Sequence, residues 1–282
     1  MRADGTPIPA LHPLRRIMPF IMPTRNTAFV LFEQNIPTGP LLAALDRLNA
    51  MRPAERRVTM FHCVLHAIGV ALTDFPRLNR FVVGSRLYDR RGIWLAFSAK
   101  QQMHRDAPIF TAKIDFRHGE PLPAMVDRLL ALLGEGRSGR ETPADREVKG
   151  FLRLPAPVLR FAVRAQRVLD GWNLLPTALI KDDPLYASAF VANLGSVGLD
   201  AAYHHLYDYG TIPVFVTMGR VHRTPLVRDD GSVGSHEVFT LRYTYDERVE
   251  DGFYAARALE RLAACLASAD ELCGGGLTAG AG

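Results

Sequence analysis

The last third of the chain constrains the fold most tightly. Three apolar runs of strand length, Tyr186–Leu194, Ile212–Val221 and Val238–Tyr245, are followed by Asp251-Gly252 and an amphipathic helix with Ala255, Leu259, Leu262 and Leu266 on one face. Upstream, helical and strand periods are mixed. Asn26–Ile36 alternates like a strand, and Leu41, Leu42, Leu45 and Leu48 recur at helical spacing. Thr59 reads as the N-cap of a helix with Phe61, Leu65, Ile68 and Leu72 on one face, stopped by Pro76. Phe81–Val83 and Ile93–Ala99 read as short strands around a polar turn at residues 88–92. Phe110, Ala112, Ile114 and Phe116 alternate as a strand with one wet face, and Val126, Leu129, Leu130 and Leu133 mark another helix. This order predicts an α/β fold, a two-layer sandwich with a mixed β-sheet. Residues 1–14 read as an extended arm, 15–270 as one domain, 135–145 as a mobile loop and 271–282 as a flexible small-residue tail.

Composition narrows the function classes. In 282 residues, 48% are hydrophobic and 22% charged, which suits a globular domain. Three scattered cysteines, Cys63, Cys265 and Cys273, point to a reducing compartment rather than a disulfide framework or a paired-thiolate zinc site. Met1–Leu14 has no apolar signal core, so the expected location is cytoplasmic. The net charge is +5, and only four of the 34 cations are Lys. The arginines are interspersed with acids rather than gathered, which argues against nucleic-acid binding.

Phosphate-loop, dinucleotide and nucleophile-elbow motifs do not occur. His62 and His66 stand at i,i+4, a spacing that can hold a metal, but core or interface histidines fit the apolar helix better, and no metal site is assigned. Cys63, mid-helix in an apolar run, reads as a small hydrophobe. The helix Pro157–Trp172 carries Arg160, Arg164 and Arg167 on one face. That pattern suits either a solvated helix packed on its own domain or contact with an acidic membrane surface or phosphate, the packed helix being the more economical expectation.

The segment Tyr245-Asp246-Glu247-Arg248-Val249-Glu250-Asp251-Gly252, followed by Ala255-Ala256-Arg257, resembles the C-terminal signature of the dihydrolipoyl acyltransferase subunits of 2-oxo acid dehydrogenases and, more distantly, chloramphenicol acetyltransferase. Phe190 to Gly198, containing Asn193-Leu194-Gly195, looks like that family's Asn-Leu-Gly segment. Thr59 to Asn79, ending Phe75-Pro76-Arg77-Leu78-Asn79, looks like its long helix. The resemblance implies a homotrimer with the active site at the subunit interface, reached by two entrances, one for coenzyme A and one for the acyl acceptor. It implies that a His acts as general base, that a hydroxyl stabilises the oxyanion, and that the Asp before Gly is structural, paired with an early Arg for which Arg15, Arg16 and Arg25 are candidates.

Against that pattern, the His position holds Glu247 and the hydroxyl position holds Ala192. The catalytic candidates are therefore Glu247, Asp251, His204 and His205, the last two from the aromatic segment 203–210; Asn193, Gly195 and Arg248 are candidates for binding the thioester. An ion pair of Glu247 with Arg248 or Arg242, and a subunit-interface role for the histidines, are the competing expectations. The implied function is transfer of an acyl group from a coenzyme A thioester, a co-substrate rather than a permanent cofactor. The alternative is a non-catalytic trimeric scaffold or acyl-CoA-binding protein. Either requires Asn193 and Glu247 to face one shared cavity.

Overall fold

A computed structural model describes residues 2–100, 109–137, 153–181, 183–227 and 230–274. In chain order its elements are β1 (Gly5–Pro7), α1 (Pro13–Ile21), β2 (Phe29–Pro37), α2 (Thr38–Asn49), α3 (Met60–Asp74), β3 (Phe81–Val83), β4 (Arg86–Arg90), β5 (Ile93–Lys100) and β6 (Ile109–Phe116). Then come α4 (Leu122–Arg137), α5 (Ala156–Gly171), α6 (Thr177–Lys181), β7 (Ala189–Asn193), β8 (Val214–Val227), β9 (Val233–Asp246), α7 (Gly252–Ala267) and α8 (Ala269–Leu272).

Six strands form one mixed sheet in the order β2-β9-β8-β7-β5-β6, with β5–β7 and β7–β8 parallel and the other pairs antiparallel. The apolar sides of α2, α3, α4, α7 and α8 pack on one face of it. α3 is central and apolar all round, with His62 through Leu72 buried. Gly69 lets it close on the sheet, since a Cβ there would lie 2.2 Å from the Phe116 ring. On the opposite face Leu206 and Ile212 pack over Ala96, Phe190 and Phe215. A separate small sheet runs β1-β4-β3.

The sandwich and its mixed sheet agree with the sequence. The polar turn expected at 88–92 is instead mostly strand: Arg86–Arg90 forms β4, and the chain reverses at Gly84 and Ser85, with φ of 54° and 58°. A two-residue turn with both residues at positive φ matches the twist of a hairpin, and Gly84 has no Cβ to obstruct it. The N-terminal arm is docked through β1, which pairs with Tyr88–Arg90, and Arg2 is buried. α1 already begins at Pro13, whose fixed φ suits a first helical position. α4 continues to Arg137, beyond the start of the expected loop, and positions 138–145 lie outside the described residues. The tail boundary also moves. Ser268 caps α8 by accepting from the Glu271 backbone N–H, and Leu272 is buried in the core, so the chain is anchored through 274. Positions 275–282 lie outside the described residues. Among the described residues, no helix is long and apolar enough to cross a membrane.

Candidate functional site

The turn from β9 into α7 carries the acidic signature. Asp246 and Arg248 form a bidentate ion pair, with nitrogen–oxygen distances of 2.8 and 2.7 Å, and both side chains are buried. Arg248 also donates to the Met22 carbonyl at 3.0 Å. Glu247, between them, is oriented differently. Its backbone N–H donates to the Ala28 carbonyl, and its own carbonyl accepts from Arg15 Nη1 at 2.8 Å. Its half-buried carboxylate lines a cavity of about 660 Å³ and has no hydrogen-bond or ion-pair partner among the described residues. The ion pairs considered for Glu247 are absent there: Arg248 belongs to Asp246 and Arg242 to Glu33.

Ile8, Leu11, Leu14 and Met18 make the apolar side of this cavity, and His12, Arg15, Arg77, Arg80, Glu250 and Asp251 line its polar side with Glu247. Glu250 is buried and forms ion pairs with three arginines, Arg15 at 3.5 Å, Arg77 at 3.3 Å and Arg80 at 3.4 Å, of which Arg15 and Arg80 also donate hydrogen bonds to it. Asp251 is the N-cap of α7, its Oδ1 accepting the Tyr254 backbone N–H at 2.9 Å. Of the three early arginines, Arg15 reaches Asp251, at 3.8 Å. Arg25 is buried instead against the carbonyls of Val82, Tyr207 and Asp208. Burial first, and then the charge of Glu247, push the Tyr245 phenol up to about 12. Glu250, Arg77 and Arg80 were given no role by sequence reasoning; the signal was there in Glu250, inside the acidic signature, and in Arg77, inside the Phe75–Asn79 motif.

The other candidates lie elsewhere. Asn193 ends β7, its Oδ1 accepting the Ser196 backbone N–H at 3.1 Å. A Cβ on Gly195 would meet the Gly219 backbone at 2.6 Å. Both residues therefore have a turn-forming role in one chain. Asn193 is in register with Met218, and Met218 with Leu241. Asp246, the last residue of β9, is five residues beyond Leu241, about 17 Å at strand rise, and Glu247 follows it in the turn. The shared cavity required of Asn193 and Glu247 is thus not formed within one chain.

His204 stacks on the Phe215 ring, with centroids 3.9 Å apart, and on His205. Burial holds its pKa below the ordinary value. Neither histidine lines the Glu247 cavity. Arg248 faces a second, smaller cavity with Arg25 and Tyr186. Ala192 has the hydroxyl of Thr217 in register beside it, but that hydroxyl donates to the Ala202 carbonyl at 2.6 Å. His62 and His66 are both buried; the backbone N–H of Thr59 donates to His62 Nδ1 at 3.2 Å.

No family model and no curated protein matches the sequence. Solved structures do match in fold. A probable dihydrolipoamide acetyltransferase from Listeria monocytogenes superposes with a TM-score of 0.60 at 15% identity, over 94% of this chain and 96% of that one. The cubic core of the pyruvate dehydrogenase multienzyme complex gives 0.59 at 16%, over 86% and 83%. A chloramphenicol acetyltransferase gives 0.56 at 11%, over 93% and 99%. The chain therefore has the chloramphenicol acetyltransferase-like fold, shared with the dihydrolipoamide acetyltransferase catalytic domains.

Proposed function

We propose that this chain transfers an acyl group from a coenzyme A-type thioester to a thiol or hydroxyl acceptor, with Glu247 as the proton acceptor. The observation that carries the reading is the Glu247 carboxylate, unpartnered in a cavity of about 660 Å³, a volume suited to a small-molecule ligand. Asp251 and Glu250 position it indirectly. Both hold Arg15, which in turn holds the Glu247 carbonyl. A carboxylate so placed takes the acceptor's proton as the thioester carbonyl is attacked, and the coenzyme A thiolate leaves. The acyltransferases of this fold support the reaction class, and the multienzyme core among them supports homo-oligomeric assembly. In a trimer, a neighbouring copy would bring its own Asn193 end of the sheet to Glu247, since one chain keeps the two apart.

Thiol release from a panel of acyl-CoA thioesters tests this. The wild type should turn over at least one of them, and Glu247→Gln should slow it by about 10²–10⁴, the usual worth of general-base catalysis. Turnover indifferent to Glu247→Gln, or no turnover on any thioester, rejects it. A second reading has its own observation. Ala192 supplies no hydroxyl and Thr217 spends its proton on Ala202, so no oxyanion donor is evident where the family resemblance places one. A non-catalytic acyl-CoA-binding protein would show calorimetric binding without turnover.

A further inference from the structure

Helix α5 turns its apolar side to solvent. Asp170, on its inner side, is buried against Arg2 at 2.5 Å, and Leu159, Val163 and Gln166 on the same side are half-buried. Away from that side Phe161 is 73% exposed, Val168 52%, and Trp172, the C-cap residue, 72%. At about 100° per residue these three fall within roughly 40° of one another, and the exposed Val158 and Leu169 widen the stripe. Arg160, Arg164 and Arg167 run alongside it, all exposed. Residues 153–181 hold five exposed cations, Arg153, Arg160, Arg164, Arg167 and Lys181; their single acid, Asp170, is buried. A helix packed on its own domain keeps its bulky apolar residues inward, and here Phe161, Val168 and Trp172 face out.

Phe and Trp beside a row of arginines form an exposed patch of the kind that marks an interaction surface. We propose that α5 docks on an anionic lipid bilayer. Phe161, Val168 and Trp172 would enter the boundary between headgroups and acyl chains, while the arginines stay at phosphate level with their stems along the surface. Trp suits that boundary because its ring is apolar and its N–H polar. A second copy docked antiparallel through the same face would set one arginine row against the other. The patch calls for a continuous field of anions, which an acidic bilayer presents.

The test uses the full chain with vesicles of phosphatidylcholine, alone or mixed with phosphatidylglycerol. The wild type should sediment with the mixed vesicles and not the neutral ones, and high salt should weaken the association by screening. The double variant Phe161→Ser, Trp172→Ser and the triple variant Arg160→Gln, Arg164→Gln, Arg167→Gln should each lower binding by about tenfold or more. Circular dichroism should be unchanged, as these side chains are exposed. Trp172 emission should shift to the blue on mixed vesicles, and Trp172→Phe, which leaves Trp94, should abolish the shift. No association at low salt, or association equal in wild type and variants, overturns the proposal. So does an oligomer that the Phe161 and Trp172 substitutions dissociate while vesicles capture nothing, which would make the face a contact between copies.

Discussion

Asp246 and Arg248 spend their charges on each other in a buried pair, while Glu247 between them keeps its carboxylate in an open cavity. Replacing one partner of a buried pair leaves the other charge desolvated and alone. Arg248→Met should therefore cost about 3–5 kcal/mol in a urea unfolding experiment. Glu247→Gln should leave the unfolding midpoint nearly unchanged, because its carboxylate holds nothing in place. That contrast separates a framework residue from a site residue within three positions. The sequence displayed the acidic signature and the two substitutions at 192 and 247. It did not show that Glu250 gathers Arg15, Arg77 and Arg80, because positions so far apart meet only when α1, the turn after α3 and the start of α7 converge.

Among the elements, α3 and α7 were the most legible. α3 was announced by Thr59, an apolar run and Pro76, and α7 by Asp251-Gly252 and its leucine spacing. Asp251→Ala removes the α7 cap and should cost about 1 kcal/mol, read from the thermal midpoint. α3 also carries a pH dependence. Burial first, and then the charge of Arg52, lower the His62 pKa from 6.5 to about 4. As pH falls below 6.5 the unfolded chain takes this proton before the folded one does. Stability is therefore complete above that pH and drains away down to about 4, by up to about 3 kcal/mol. Protonation also removes the acceptor that His62 Nδ1 offers to Thr59. Denaturation midpoints measured across that window should fall in the wild type and stay flatter in His62→Gln. By contrast β4 was hidden, because Asp89, Arg90 and Arg91 look like a turn until β1 and β3 are seen to pair on either side of β4.

At the scale of the whole molecule, the chain's beginning is tied to its middle. Arg2 donates to Asp4 and to Asp170 of α5, and all this lies beneath the helix face assigned to lipid. Arg2→Ala leaves Asp170 buried without its cation and should cost about 3 kcal/mol or more in urea. It should also speed limited proteolysis at the arm and at α5 together, whereas loosening at the arm alone would contradict the coupling. The sequence by itself determined the class of fold and the place of most long elements, because apolar period and end-capping residues are local properties of a chain. It also determined that a carboxylate and a methyl stand at 247 and 192. Only the tertiary structure decided that 193 and 247 lie far apart in one chain, which arginine meets Asp251, and which side of α5 meets water. Those outcomes depend on how strands register and helices dock, and register is fixed by contacts between segments that no local pattern encodes.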